Sequence, residues 1–230
     1  MRIFAISDLH LAGSADKTMD MFGEKWQEHW DKIKQDWLSK VTNDDVVLIS
    51  GDVSWAMHLK DALEDLNVIA ALPGKKIFIR GNHDYWWSSI TKVRESIDKS
   101  MLPLQNDAVK IGNFVFAGTR GWMESGSADD KKIFAREMIR LDLTLSAAKR
   151  LMDENSTLIV LMHYPPQFSG TQFSSFCPVL EQYGAKICVY GHLHSFNRAE
   201  ANIYEHNGVR YVLASCDMID FNLREIKTDI

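Results

Sequence analysis

Five short clusters hold the side chains of this sequence best suited to chemistry: Asp8-Leu9-His10, Gly51-Asp52, Gly81-Asn82-His83-Asp84, His163 and Gly191-His192-Leu193-His194. Asp, Asn and His are ligands for borderline divalent metals such as manganese, iron and zinc, and a nitrogen and oxygen set without thiolates argues against copper or iron–sulfur centres. Taken singly, each cluster has an ordinary structural explanation. A histidine in apolar surroundings is usually a packed residue, and an Asp after a strand usually caps a helix. Five such clusters in succession turn the balance toward a metal site.

Each cluster follows a short apolar run. Ile3-Phe4-Ala5-Ile6 precedes Asp8, Val46-Val47-Leu48-Ile49 precedes Asp52, and Ile77-Phe78-Ile79 precedes Asn82. Leu158-Ile159-Val160-Leu161 and Ile187-Cys188-Val189-Tyr190 stand in the same relation to His163 and His192. Such runs, separated by helical stretches, read as strands buried on both faces. In an open α/β sheet the ligand crevice lies beyond the carboxyl ends of the strands, so five ligand-bearing strand ends can converge there. Helical periodicity predicts one helix over residues 25–38, with Trp26, Trp30, Ile33 and Trp37 on one face. A second carries Leu59, Ala62, Leu63, Leu66 and Ile69 and stops near Pro73-Gly74. A third spans about residues 130–153. Hairpins are expected at Gly112-Asn113 and at Asn207-Gly208. These elements predict a two-sheet sandwich covered by helices on both sides.

The ordered set DxH, GD, GNHD, H and GHxH resembles the signature of the calcineurin-like metallophosphoesterase superfamily, and the resemblance covers residues 8–194. Together with Gly51-Asp52-Val53-Ser54-Trp55-Ala56-Met57 and Gly81-Asn82-His83-Asp84-Tyr85-Trp86-Trp87, it is similar to a bacterial group of predicted phosphohydrolases. The resemblance implies an α/β fold, a four-layer α/β/β/α sandwich of two mixed sheets flanked by helices, formed by residues 1–230 as a single domain. It implies two divalent metal ions (Mn, Fe or Zn), with Asp8, His10 and His194 on one, Asn82, His163 and His192 on the other, and Asp52 bridging them. Water held between two such ions is acidified toward neutral pH and becomes the nucleophile on a phosphoester. His83 would then protonate the leaving group, and Asp84 would orient its ring.

Departures from named subfamilies narrow the reading. Gly51-Asp52 runs into Val53-Ser54-Trp55 without the arginine of the serine/threonine protein phosphatases, and Asp84 stands where those enzymes have Glu. Trp55 occupies the position of the purple acid phosphatases' tyrosine, and His83 that of the arginine in the lipid-A-pathway pyrophosphatases.

Around the clusters, Tyr85 and Trp86 are candidate substrate-binding residues, since aromatic faces stack on bases or sugars. Core packing is the alternative for these and for Trp87, Trp55 and Met57. Arg120 is a candidate phosphate clamp, with an ion pair as its alternative. The loop over residues 164–178 is expected to overhang the site. His29, His58 and His206 read as surface or packing residues, although His58 follows Asp52 closely enough to line the substrate mouth.

No Gly-x-Ser-x-Gly elbow and no Walker-type loop is present in the sequence. The 230 residues, 46% hydrophobic and 25% charged, suit one soluble α/β domain. No stretch approaches the ~20 apolar residues of a spanning helix, and Asp8 comes too early for a signal peptide, so a cytoplasmic protein without membrane contact is expected. Three cysteines without CxxC spacing argue against disulfides and thiolate sites. A net charge of −5 and a pI near 5.9 disfavour long nucleic acid as partner. A small phosphorylated substrate fits better, and two alternatives stand beside it: a nuclease acting on short single strands, and a non-catalytic metal-binding scaffold of the same fold.

Overall fold

Strict alternation along the strands decides where each side chain goes. In a computed structural model that describes residues 1–13, 19–124, 126–168, 172–194 and 203–228, strands β1 (Ile3–Ile6), β2 (Val46–Ile49), β3 (Lys75–Phe78) and β4 (Met101–Pro103) run parallel. They belong to a five-stranded sheet whose other edge is the antiparallel β13 (Arg224–Glu225). The second sheet has six strands. Its parallel centre is β6 (Phe114–Thr119), β7 (Thr157–Met162), β10 (Ile187–Tyr190) and β12 (Val209–Leu213). Antiparallel β5 (Ala108–Ile111) and β11 (Tyr204–His206) close its edges.

Odd and even residues face opposite layers. Ile3, Ala5, Val46, Leu48, Ile77, Phe116, Ile159, Leu161, Ile187 and Val189 pack in one cluster between the two sheets. Their neighbours Phe4, Ile6, Val47, Ile49 and Phe78 point the other way, onto a layer that includes Ile33, Trp37, Ala62, Leu66, Ile69 and Val93. These belong to α1 (His29–Lys40), α2 (Leu59–Ala70) and α3 (Ile90–Ser96). On the far side Val115, Val160, Cys188 and Tyr211 meet Leu141, Leu145 and Leu180 of α4 (Ala128–Leu151) and α5 (Phe176–Gln182). Each central strand therefore buries apolar area on both faces, worth about 1.5–3 kcal/mol for every large aliphatic side chain. The result is the expected four-layer arrangement of two mixed sheets between helices.

The element bounds differ from the sequence expectation in places. The first predicted helix is divided: Glu24–Trp26 forms a 3₁₀ turn and α1 begins only at His29. Trp26 is thereby placed outside α1, yet it is buried in the same cluster as Ile33 and Trp37. Helix α4 starts two residues earlier than predicted because Ser127 and Asp130 form a capping box. Helices α3 and α5, of seven residues each, had no clear periodic signal. Both hairpins lie where expected, and Asn207 and Gly208 both adopt positive φ. Short strands β8 (Gln167–Phe168) and β9 (Gln172–Phe173) pair in the loop after β7, whose residues 169–171 fall outside the described ones. All three cysteines are buried, Cys188 in the core as anticipated.

The registers bring the strand ends level. Ile6 pairs with Ile49, and Met162 with Tyr190, so the segments that follow β1, β2, β7 and β10 emerge side by side. Among the described residues no helix is long and apolar enough to cross a membrane.

Candidate metal centre

The segments after the strands are tied to one another by backbone. Asp8 N–H donates to the Gly51 carbonyl at 3.0 Å, and His10 N–H to the Asp52 carbonyl at 3.0 Å. His163 N–H donates to the Arg120 carbonyl at 3.1 Å, which sets the end of β7 against the end of β6. Asp8, His10, Asp52 and His192 all have positive φ, between 47° and 71°. L-residues avoid that region, and such strain concentrates at functional sites where the surroundings enforce it. Gly81 and Gly191 serve close approach. A Cβ on Gly81 would lie 2.1 Å from Asp52 Oδ1, and one on Gly191 would lie 2.5 Å from Asp8 Oδ2.

All seven residues proposed as ligands come together. Asp8, His10 and His194 form one group with ligand atoms within 4.8 Å of one another, and Asp8, Asp52 and His163 form a second. Asp52 Oδ2 stands between them, 3.7 Å from His10 Nε2 and 3.5 Å from His163 Nε2. His163 Nδ1 donates to the Ser50 carbonyl at 2.9 Å. That bond fixes the tautomer and turns the Nε2 lone pair toward Asn82 Oδ1 at 2.6 Å and His192 Nδ1 at 3.3 Å. His192 N–H in turn donates to both oxygens of Asp8, at 3.1 and 3.0 Å.

The electrostatics suit cations. Burial, reinforced by the charges of Asp84 and Asp8, pushes the Asp52 carboxyl up to about 9. Burial holds His10 down near 3 and His192 near 4, so both are neutral and offer lone pairs. Asn82 Oδ1 and Asp52 Oδ2 crowd the His163 Nε2 at 2.6 and 3.5 Å, and the buried His10 Nδ1 has no hydrogen-bond partner among the described residues. A carboxyl that burial and like charges keep protonated, set among neutral imidazole nitrogens and an amide oxygen, gives up its proton when a divalent cation takes that place. The residues present therefore fit divalent metal ions.

One carboxylate that the sequence did not single out completes the centre. Asp217 accepts from His194 Nδ1 at 2.8 Å, and its other oxygen pairs with Lys25 Nζ at 2.7 Å. Asp217 is buried just after β12, so it too follows an apolar β run, which was the signal available. Burial disfavours the charged His194 ring, but the Asp217 bond and the Asp8 charge outweigh it and raise its pKa.

Two expectations need correction, and a third takes its alternative form. Asp84 does not serve as the support for the His83 ring. Its Oδ1 accepts from Val53 N (2.8 Å), Ser54 N (3.3 Å) and Trp86 Nε1 (2.9 Å), and its Oδ2 from Asp52 N (2.9 Å) and Gly81 N (2.7 Å). Five donors on one buried carboxylate make it the brace that fixes the Asp52 and Gly81 turns. Trp86 is 2% exposed, so it packs under the site and presents no face to a substrate. The Arg120 guanidinium pairs with Glu137 at 3.4 Å and lies over the Trp122 ring at 4.5 Å, which realises the ion-pair alternative.

His83 and Tyr85 remain at the opening, His83 with its backbone N–H on Asp52 Oδ1 at 2.8 Å and Tyr85 half exposed beside it. Trp55 stacks on His10 at 4.5 Å and approaches His83 at 4.7 Å. With Met19, Phe22 and Trp26 it walls a cavity of about 230 Å³ whose remaining lining includes His10, Asp52, His83, His192 and His194. His58 is exposed and His206 stacks on Phe173. His29 packs on the rings of Trp26 and Phe221, and its Nε2 lies 2.9 Å from the carbonyl of Leu9, between two of the gathered residues.

A sequence profile described as calcineurin-like phosphoesterase matches residues 1–196. The chain belongs to that family, whose members hydrolyse phosphoesters and typically bind divalent metals. Solved structures share its fold at low identity. TT1561 of Thermus thermophilus superposes with a TM-score of 0.64 at 12% identity, over 98% of both chains. GAP50, titled the anchor in the inner membrane complex of Plasmodium, gives 0.56 at 16% identity over 94% of this chain and 72% of its own. The protein AQ665 of Aquifex aeolicus, of unknown function, gives 0.52 at 16% over 97% and 95%. No protein of curated function matches the chain in sequence.

Proposed function

We propose that this protein is a dinuclear metal-dependent phosphohydrolase acting on a small phosphodiester or phosphomonoester. The observation that carries the reading is the approach of His163 Nε2 to Asn82 Oδ1 at 2.6 Å and to Asp52 Oδ2 at 3.5 Å, beside the Asp8, His10 and His194 group. Asp8, His10 and His194 would hold one ion, Asn82, His163 and His192 the other, and Asp52 both. When bound, two divalent ions supply an acidified water and neutralise charge on the phosphoryl oxygens.

The chain's own residues do the rest. Asp84 and the backbone bonds between the first two segments hold Asp52 in place before substrate arrives. Asp217 fixes the His194 tautomer, so that Nε2 faces Asp8 at 3.6 Å. His83, on the cavity wall, is placed to give a proton to the departing alkoxide. Trp55 and its apolar neighbours exclude water from one side and accommodate an organic group. Manganese, iron and zinc all suit the nitrogen and oxygen donors.

The test uses purified protein supplied with manganese. Metal content near two per chain, together with hydrolysis of bis-p-nitrophenyl phosphate or p-nitrophenyl phosphate, is expected, and Asp52→Ala should lose both. Two-metal occupancy in Asp52→Ala, or inert fully loaded protein across a panel of phosphorylated metabolites, would contradict the reading.

A further inference from the structure

A second cavity, of about 110 Å³, shares none of its lining with the aromatic one. Arg80, Arg120 and Arg140 line it, with Glu137, Thr119 and Asn106. Two of these arginines are joined directly to the ligand segments. Arg80 precedes Gly81-Asn82 in the chain, and the Arg120 carbonyl accepts the His163 and Tyr164 N–H groups.

The charges do not balance. Glu137, fully buried, is the sole carboxylate of the lining among the described residues. Its Oε1 receives Arg140 Nη1 at 2.7 Å and Arg120 Nη2 at 3.4 Å, and its Oε2 receives the Thr119 hydroxyl at 2.8 Å. Asp107, the nearest carboxylate along the loop after β4, is engaged by Arg94. Arg80 has one hydrogen bond, from Nε to the Asp84 carbonyl at 3.2 Å, and forms no ion pair among the described residues. The buried Arg120 Nε has no hydrogen-bond partner among the described residues. Three guanidinium groups against one carboxylate leave an excess of about two positive charges around a small space. Guanidinium forks match the oxygens of phosphate in charge and geometry, and three of them converging from separate elements suit a tetrahedral dianion better than a planar carboxylate.

We propose that this cavity binds a phosphate group, either a second phosphate carried by the substrate or free inorganic phosphate. Only the first source rests on the hydrolytic reading.

The test titrates inorganic phosphate calorimetrically into the full chain after chelation of metal, so that phosphate held at the metal centre does not contribute. One saturable site is expected, weakened roughly tenfold or more by Arg140→Gln and by Arg80→Gln, since each removes a charged donor. Arg140→Lys, which keeps the charge without the fork, should bind with an affinity between those of the parent and Arg140→Gln, and thermal melting identifies any variant that has not folded. Absence of saturable binding, or undiminished affinity in both glutamine variants, overturns the proposal. The manganese-loaded enzyme then separates the sources, using a p-nitrophenyl phosphodiester with and without a second phosphate on its alcohol. If substrate fills the cavity, Arg140→Gln lowers kcat/KM for the doubly phosphorylated ester alone. If free phosphate fills it, both esters respond alike and the effect of added phosphate on turnover shrinks in the variant. An inactive protein that still binds phosphate refutes the hydrolytic reading alone, whereas an active one without this binding refutes the cavity alone.

Discussion

Asp217 accepts the Nδ1 proton of His194 at 2.8 Å while the opposite ring nitrogen faces Asp8 Oδ1 at 3.6 Å. A carboxylate behind a metal-binding histidine fixes the tautomer and makes the ligand nitrogen more basic. Asp217→Asn keeps the shape and removes the charge. Manganese affinity, read by calorimetric titration, should fall about 10–100-fold. Undiminished affinity would remove Asp217 from this positioning role.

His83 and Asp84 are neighbours in sequence with different work, and two variants separate them. His83→Ala should fold normally, retain its metals and lose roughly 10²–10⁴ in turnover of an ester with a poor leaving group. Asp84→Ala should instead lose at least about 3 kcal/mol of stability, because several buried N–H groups are left without an acceptor. Denaturant unfolding checks the second. If Asp84→Ala is as stable as the parent and merely slow, the carboxylate acts on His83 after all.

Gly81→Ala places a methyl group 2.1 Å from Asp52 Oδ1 and 2.3 Å from Asp52 N. Backbone cannot yield as a flexible side chain does, so a loss of about 1–3 kcal/mol or more is expected, accompanied by loss of metal because Asp52 must move. Metal analysis on the soluble fraction decides it, and full occupancy would show that the turn has slack.

Lys76 is 1% exposed in β3, with its ammonium on the carbonyls of Ala70 and Leu72 at the end of α2. Burial lowers its pKa to about 8, against a weak opposing pull from Asp98. Between pH 8 and 10.5 the unfolded chain then binds more protons than the folded one, so through this group stability rises with pH. The gain over that window is on the order of 3 kcal/mol. Comparing Lys76→Met with the parent by denaturant unfolding at about pH 7.5 and about pH 10.5 isolates it: the parent should improve relative to the variant at the higher pH. A constant difference between the two would mean that Lys76 titrates at its ordinary value.

The sequence by itself determined the strands, the layers and the ligand types. Alternating apolar runs such as Val46-Val47-Leu48-Ile49 can be buried only on two faces, and each places its polar successor at a strand end. The same runs separate the five clusters by whole structural units, so their order in sequence became a circle in space. What only the tertiary structure decided was which partner each polar atom takes. Nothing local distinguishes Asp84 as a brace from Asp84 as a catalytic support, because its five donors come from three separate points of the chain. Asp217 reaches His194 across 23 residues, and Arg80, Arg120 and Arg140 line one cavity with Glu137 only because the segments after β3 and β6 meet the middle of α4. Hydrogen bonds and charges act within a few ångströms, and the fold alone sets which distant residues come that close.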